Sequence, residues 1–555
     1  MKNTSLLFNI ILFTIFISLP NLGHSGFADE ETIREINLLK NRVLLENQKE
    51  GLRSGPTEFI EGEYLVKLKD SALKSLFSND SVFSEFSAEQ LDFTPGAKIM
   101  KITFDSKTHE VEALVELMND PQVEYVTQNF KLQRLAPLAS KADLKEQWSL
   151  ANVNAERAWE LAGNKGSRDV VVAVIDTGVD YNHESLKANM VTGYDFAQND
   201  DDPMDTTSQQ NPGHGTHCAG IVGATGDVDG GVSGLSPVVS LMPLRFLDES
   251  GRGDLNNAVK SIDYAIENKA DIISASWGAA VTKDQAAALV EGLERASQAG
   301  IPFIAAAGNS NDDNDETAMY PANGFFQNSI TVVASTVENT KPDWSSFGQQ
   351  KTHVAAPGLD IMSTLPNNGY KNLSGTSMAT PLVSGLAALL MAQDETLTGN
   401  QLRSLMQISG RKAEIETACN CIIDAGDAME LLLAGTPYVA PHQASVNPAQ
   451  ELQFEVGGKV DGEVKFSSSD EAVATISEDG LLKGVAVGSV TITAEDAAGN
   501  KVSSGDIFVH EDSNSSSCPL GDEMLCQILC GIDPSMPWCE QSQAVLPSWK
   551  KVAQN

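Results

Sequence analysis

Residues 170–180 read VVVAVIDTGVD. The apolar run from Val170 to Ile175 is short, unbroken and β-branched, which predicts a strand covered on both faces, as in the interior of a parallel sheet. Asp176 then stands at the carboxyl end of that strand, with Gly178 in the turn that follows. The same kind of run returns in DIISASW (Asp271 to Trp277), IPFIAAAG (Ile301 to Gly308) and SITVVAS (Ser329 to Ser335), and helical patterns lie between them at Leu255 to Asn268 and Lys283 to Ala299. Strand and helix alternating in this way predict an α/β domain over residues 147–433, a three-layer α/β/α parallel-sheet architecture with ligands at the carboxyl ends of its strands.

Outward from this core the chain changes character. Residues 61–136 alternate short strands (EYLVKLK, AKIMKITF, VEYVTQNFKL) with a helix over Glu110 to Met118, which predicts a small α+β unit. Residues 29–60 read as a spacer helix, and Leu135 to Leu144 as an exposed, cleavable linker. On the other side, 436–448 (TPYVAPHQASVNP) reads as a linker and 449–511 as an all-β sandwich of short strands. Residues 512–555 form a tail with Cys518, Cys526, Cys530 and Cys539. At the amino terminus, LLFNIILFTIFISLP behind Lys2 is too short for a comfortable crossing of a hydrocarbon core of ~30 Å. It predicts a signal peptide over 1–28, and hence a secreted protein, extracellular or periplasmic, with no membrane span in its mature form.

The 555 residues carry 75 Asp plus Glu against 38 Lys plus Arg, a formal net charge of −37, which excludes an electrostatic grip on nucleic acid and favours cations as partners. Three motifs fall where strands end and helices begin: VIDTGVD with Asp176, GHGTHCAG with His214, and LSGTSMATPLVSGLAALL with Ser377 opening an apolar helix. A serine hydroxyl becomes a nucleophile when an imidazole takes its proton, and the imidazole needs a carboxylate to fix its tautomer. The order Asp, His, Ser along the chain is that of subtilisin rather than of chymotrypsin or the α/β-hydrolases.

On these motifs, on AAAGN and on PLRFLDESGRGDLNNAVKSIDYAI, the stretch from Gln147 to about Leu433 resembles the catalytic domain of the subtilisin-like serine proteases. The resemblance implies a serine endopeptidase acting on proteins or peptides, with Asp176 orienting, His214 as general base and acid, Ser377 as nucleophile and Asn309 as oxyanion donor; His217 becomes a structural neighbour. It implies that substrate pairs in extended form with Gly251-Arg252-Gly253 and Ser276-Trp277-Gly278, and that the pocket for the residue ahead of the scissile bond (P1) is walled by the second of these and by Ala306-Ala307-Gly308. No carboxylate appears in those walls, so apolar P1 side chains are expected, and Met319 is positioned to shrink the pocket floor. EYLVKLKD and VEYVTQNFKL resemble the family's inhibitory propeptide, which implies a self-processing zymogen. SSSDEAVATISEDGLLKGVAVGSVTITA resembles the bacterial immunoglobulin-like domains of the second group.

Asp195, Asp200, Asp201, Asp202 and Asp205 crowd the loop before His214, and Asp227 and Asp229 a second loop; hard oxygens at such spacing suit Ca2+ as a structural ion. Asp200, Asp202, Asp205, Asp227 and Asp229 are the candidate ligands. Ser185 replaces the aspartate that often helps hold a strong site in the family. Cys218 is expected as a buried free thiol, and Cys419, Cys421 and the four tail cysteines as up to three bridges in 15 possible pairings. A monomer is expected. A binding protein whose protease fold has lost activity is the competing class, and the complete triad argues against it.

Overall fold

The computed structural model describes residues 58–70, 91–104, 121–135, 147–324 and 327–510, with residues 138–139 and single residues between 83 and 118. The signal peptide, most of the spacer and the four tail cysteines lie outside the described residues.

The amino-terminal α+β unit is built on strands β1 (Phe59–Leu68), β2 (Leu91–Thr94), β3 (Ile99–Thr103) and β4 (Val123–Arg134). They pair antiparallel in the order β4-β1-β3-β2. Its first strand begins at Phe59, inside the segment read as spacer. Alternation along β1 splits its side chains: Tyr64, Val66 and Leu68 enter a core with Met100, Ile102 and Leu117, while Leu65 faces the catalytic domain with Ile99 and Phe130.

The catalytic domain is the expected three-layer sandwich. Its sheet runs through β5 (Gly166–Asp176), β6 (Val238–Arg245), β7 (Ile272–Ala275), β8 (Phe303–Ala306), β9 (Ser329–Ser335) and β10 (Val354–Pro357), ordered β10-β9-β8-β7-β5-β6 and parallel throughout. The connection order reverses beside β5, because β6 lies on one side of it and β7 on the other. That switch point opens a crevice at the strand ends, and Asp176 is the last residue of β5. On one face lie helices α1 (His214–Gly223), α4 (Thr376–Met391) and α5 (Gly399–Ser409); on the other lie α2 (Leu255–Glu267) and α3 (Ala287–Gln298). Every residue of α4 is buried, as expected for a helix apolar all round.

Residues 436–448 are no linker. Tyr438–Ala440 and Ala444–Val446 are strands of the β-sandwich, pairing with Glu455–Gly457 and Ile507–Val509. Tyr438 and Ala440 also pack into the catalytic core. Ser404 and Gln407 of α5 accept hydrogen bonds from the backbone N–H of His442 and Gln443, at 2.8 and 3.3 Å. The sandwich is therefore braced against the protease. Cys419 and Cys421 form a disulfide and Cys218 is a buried free thiol.

Candidate active site

Asp176 and His214 meet because α1 begins hard against the end of β5. A Cβ on Gly215 would lie 2.1 Å from the Gly178 carbonyl oxygen and 3.1 Å from Asp176 Cβ, so only glycine allows that approach. Asn211 Oδ1 accepts from the backbone N–H of Gly213 and His214 at 3.1 and 2.9 Å, holding the start of the helix. His214 Nδ1 lies 2.7 Å from Asp176 Oδ1, the geometry that fixes Nε2 as the working nitrogen.

Asp205 sits behind this pair. It accepts from Thr177 Oγ1 (2.9 Å), Asn211 Nδ2 (3.1 Å), and the N–H and hydroxyl of Thr216 (3.0 and 2.7 Å). Burial raises its carboxyl to about 6, with Asp176 adding to the rise and these bonds opposing it. Both oxygens are thus committed inside the protein, so the assignment of Asp205 as a metal ligand is corrected: it is a buttress for the turn that carries Asp176 and the helix that carries His214. Asp195 is likewise committed, to Arg245 Nη1 at 2.6 Å. Asp200 Oδ1 accepts from the N–H of Asp202, and Asp202 Oδ1 from Tyr181. Asp227 accepts from Thr225 Oγ1. Among the described residues, the one group of three such side chains close enough to share an ion is Asp176, His214 and Cys218, with no three aspartates of either acidic loop converging.

Ser377 is the second residue of α4. Pro381 stands four residues on and has no N–H, so the Ser377 carbonyl lacks its helical donor. Ser276 Oγ (3.0 Å) and Cys218 Sγ (3.4 Å) donate to it instead. Burial and the nearby Asp176 push the Cys218 thiol up, which suits a neutral donor. Asn309, just beyond β8, has its Oδ1 fixed by the N–H and hydroxyl of Thr376, both at 2.9 Å. That turns Nδ2 toward Gly375, where an added Cβ would lie 3.3 Å from it, at the amino end of α4. His217 is fully buried beside the site; burial lowers its imidazole to about 3, and Nε2 bonds the Lys371 carbonyl at 2.9 Å. It is a neutral structural residue, as expected.

The stretch expected to be an exposed linker begins inside this site. Strand β4 lies antiparallel between Arg252–Asp254 and Trp277–Ala280, pairing Leu132 with Gly253, Gln133 with Arg252 and Gly278, and Arg134 with Trp277. Arg134 N–H donates to Gly251 O at 3.0 Å and Leu135 N–H to Ser276 O at 3.3 Å. Ser377 Oγ donates to Leu135 O at 2.9 Å, with Ser276 O at 3.1 Å as a second acceptor. Among the described residues His214 Nε2 has no hydrogen-bond partner, and the Ser377 hydroxyl points to the two carbonyls rather than to the imidazole. His214 and Ser377 are both 0% exposed beneath this segment. The Trp277 side chain is core rather than pocket wall, bonding Ile175 O at 2.8 Å and packing on Phe246. Met319 does reach between the walls: its Sδ and Cε lie 3.2 and 3.4 Å from where Cβ atoms on Gly278 and Gly308 would be.

Comparison with known proteins agrees with this geometry. The Subtilase family profile matches residues 167–420. The "Thermophilic serine proteinase" of Bacillus sp. (strain AK1) is 32% identical over 373 residues, which span 67% of this chain and 84% of that protein. The chain belongs to the subtilase family. Thermitase of Thermoactinomyces vulgaris is 38% identical over 247 residues, covering 44% of this subtilase and 82% of thermitase. The "Minor extracellular protease Epr" of Bacillus subtilis (strain 168) is 33% identical over 310 residues, 54% of this chain and 45% of that one. The profile of the bacterial Ig-like domain (group 2) matches residues 438–506, which includes the strands once read as linker. This subtilase is a serine peptidase with an appended immunoglobulin-like domain.

Sequence reasoning missed the supports of the site: Asp205, Thr177 and Asn211 behind the Asp–His pair, Thr376 behind Asn309, and Pro381 with its two replacement donors. The Pro four residues after Ser377 was the readable signal for the last of these.

Proposed function

We propose that the protein is a secreted, self-processing serine endopeptidase held latent by residues 59–135. The observation that carries this reading is Ser377 Oγ lying 2.9 Å from Leu135 O, in a segment paired on both sides like a substrate. In this mechanism His214 Nε2 takes the Ser377 proton as Oγ attacks the Leu135 carbonyl carbon. Asp176 stabilises the imidazolium, and Asn309 Nδ2 with the amino end of α4 stabilises the oxyanion. His214 then protonates the leaving nitrogen of Ala136, and a water hydrolyses the acyl-enzyme. Export rests on the apolar segment at 6–20; no helix among the described residues is long and apolar enough to cross a membrane. The test is a fluorophosphonate probe on mature enzyme together with its amino-terminal sequence. Labelling at Ser377 and a start at Ala136 are expected; an unlabelled mature chain would leave a protease fold without activity.

A buried leucine, Leu135, at the position ahead of the bond supports apolar P1 preference. Met319→Ala should deepen the pocket and shift kcat/KM from Leu toward Phe by about tenfold. An unchanged Leu/Phe ratio would remove Met319 from the floor.

Latency also rests on polar contacts between prosegment and protease. Asp92 Oδ2 accepts from Lys260 Nζ at 2.5 Å and Asn256 Nδ2 at 3.1 Å. Burial raises the Asp92 carboxyl, but the Lys260 hydrogen bond and charge outweigh that and hold it below 3.8. This contribution is therefore complete above pH 3.8 and is lost as pH falls through the lowered value. Asp92→Ala should weaken inhibition by the separated prosegment about fivefold at neutral pH, on the order of 1 kcal/mol for a partly exposed pair. An unchanged inhibition constant would show that the pair contributes nothing.

For calcium, Asp200 and Asp202 in the loop before His214 each keep one oxygen outside the hydrogen bonds described, as Asp227 does in the second loop, where Asp229 accepts none of them. Asp200 and Asp202 would hold the ion with hard backbone oxygens, as a structural support for the segment leading to His214. Calcium should then raise the melting temperature of mature enzyme by several degrees at fixed ionic strength, an effect absent from Asp200→Asn, Asp202→Asn. Equal melting in chelator and calcium would leave the loop as a solvated acidic one.

A further inference from the structure

Strand β4 holds the cleft through its main chain and two leucines, while one of its side chains works against that hold. Counting back from the bond at Ser377, Leu135 is P1, Arg134 P2, Gln133 P3 and Leu132 P4. Leu132 and Leu135 are apolar and buried and Gln133 is exposed, so each suits its surroundings. Arg134 does not, because its long cationic side chain is only 8% exposed.

The protease offers this side chain little. Arg134 Nη2 donates to the backbone carbonyl of Gln210, in the loop leading to His214. Nε lies against Gly251, 2.4 Å from where a Cβ would stand. Among the described residues neither Nε nor Nη1, both buried, has a hydrogen-bond partner. The carboxylates whose charges reach it are committed elsewhere, Asp176 to His214 and Asp205 to Thr177, Asn211 and Thr216. Neither is in ion-pair contact with it, and burial outweighs their attraction, lowering the guanidinium from its ordinary value. Arg245 shows the contrast: this guanidinium, 2% exposed, has Asp195 at 2.6 Å and Thr206 Oγ1 at 2.9 Å. A charge buried without such a pair, with donors left unpartnered, is costly. That cost applies only while Arg134 lies in the cleft, since outside it the guanidinium is hydrated.

We propose that Arg134 is a built-in mismatch at P2, which weakens the hold of the severed prosegment so that chains with an uncharged P2 side chain displace it. The inference rests on the peptidase reading and adds a regulatory role for the residue next to P1.

Two measurements test it. In the full chain, Arg134→Met keeps an unbranched stem and removes the charge and the donors. The interval between the cut at Leu135–Ala136, followed by intact mass, and the appearance of peptidase activity should then lengthen by about tenfold. On mature wild-type enzyme, fluorogenic amides of acetyl-Leu-Gln-X-Leu with X as Met, citrulline or Arg should give kcat/KM in that descending order, Met exceeding Arg by about tenfold. The isomer acetyl-Leu-Arg-Gln-Leu has the same charge but carries arginine at the exposed P3 position. It should be cleaved better than the P2 arginine peptide, which separates the subsite from the general pull of an acidic protein on a basic peptide. An interval no longer than in the wild type, a P2 arginine peptide within about twofold of the Met peptide, or an isomer no better than the P2 arginine peptide would overturn the mismatch while the peptidase reading stands. If no peptide is cleaved, or cleavage persists in Ser377→Ala, both fall together.

Discussion

Ser377→Ala should leave the chain joined at Leu135–Ala136 and lower peptide hydrolysis by roughly a million-fold, the scale known for loss of the same nucleophile in subtilisin. The substitution removes the one atom able to form the acyl-enzyme, and with it the hydroxyl that now touches Leu135 O. It adds no bulk and leaves the Ser377 carbonyl with its donors Ser276 and Cys218, so the fold should be retained. Expression of the variant alone, followed by intact mass and amino-terminal sequencing, reads the outcome. A variant that still loses its prosegment when pure would mean that the cut does not use Ser377. A cut in the wild-type protein that falls away from Leu135–Ala136 would mean that the segment in the cleft is not the processing site.

Asn309→Ala should reduce kcat by ~10²- to 10³-fold with little change in KM, the scale known for the corresponding donor in subtilisin. Thr376 fixes the amide through Oδ1, so Nδ2 is oriented before any charge develops. Its contribution appears once the carbonyl oxygen becomes an oxyanion, and such a loss falls on turnover rather than on binding. Asn309→Asp should be as poor as Ala or worse, because a carboxylate would oppose the developing charge. A raised KM with kcat intact would reassign the residue to ground-state binding.

The proposed catalytic groups were legible because each interrupts an otherwise regular pattern: Asp176 ends an apolar strand, His214 sits between glycines, and Ser377 opens a helix apolar on every side. The β-sandwich strands at 438–446 were not, since they are three residues long and the surrounding prolines hide any alternation. Asp205 looked like a ligand because spacing along a chain shows how close carboxylates are in sequence and nothing of which way they face. The position of Trp277 on the binding edge leaves both pocket wall and core open to it, and alternation along an extended strand sends its ring to the core. The occupation of the cleft by Leu132 to Leu135 was hidden for a related reason. Those residues read as the end of one unit and the start of a linker, and only tertiary pairing makes them the third strand of a binding edge.

Among the described residues, one face of the prosegment sheet is covered by the protease. Leu65, Ile99 and Phe130 are buried against α2 and α3, and what remains inside the prosegment is a small core around Val66, Met100 and Ile102. A domain of that size is marginal by itself. Once the bond after Leu135 is cut, the severed piece can return to the cleft only in its folded form, so its affinity is reduced by the fraction of time it spends unfolded. Under the proposed mechanism, the duration of latency is then written in a hydrophobic core away from the active site. Warming, or a cavity at Val66, would shorten it as surely as a change at Leu135, which makes the discarded part of the chain a timer set by its own instability.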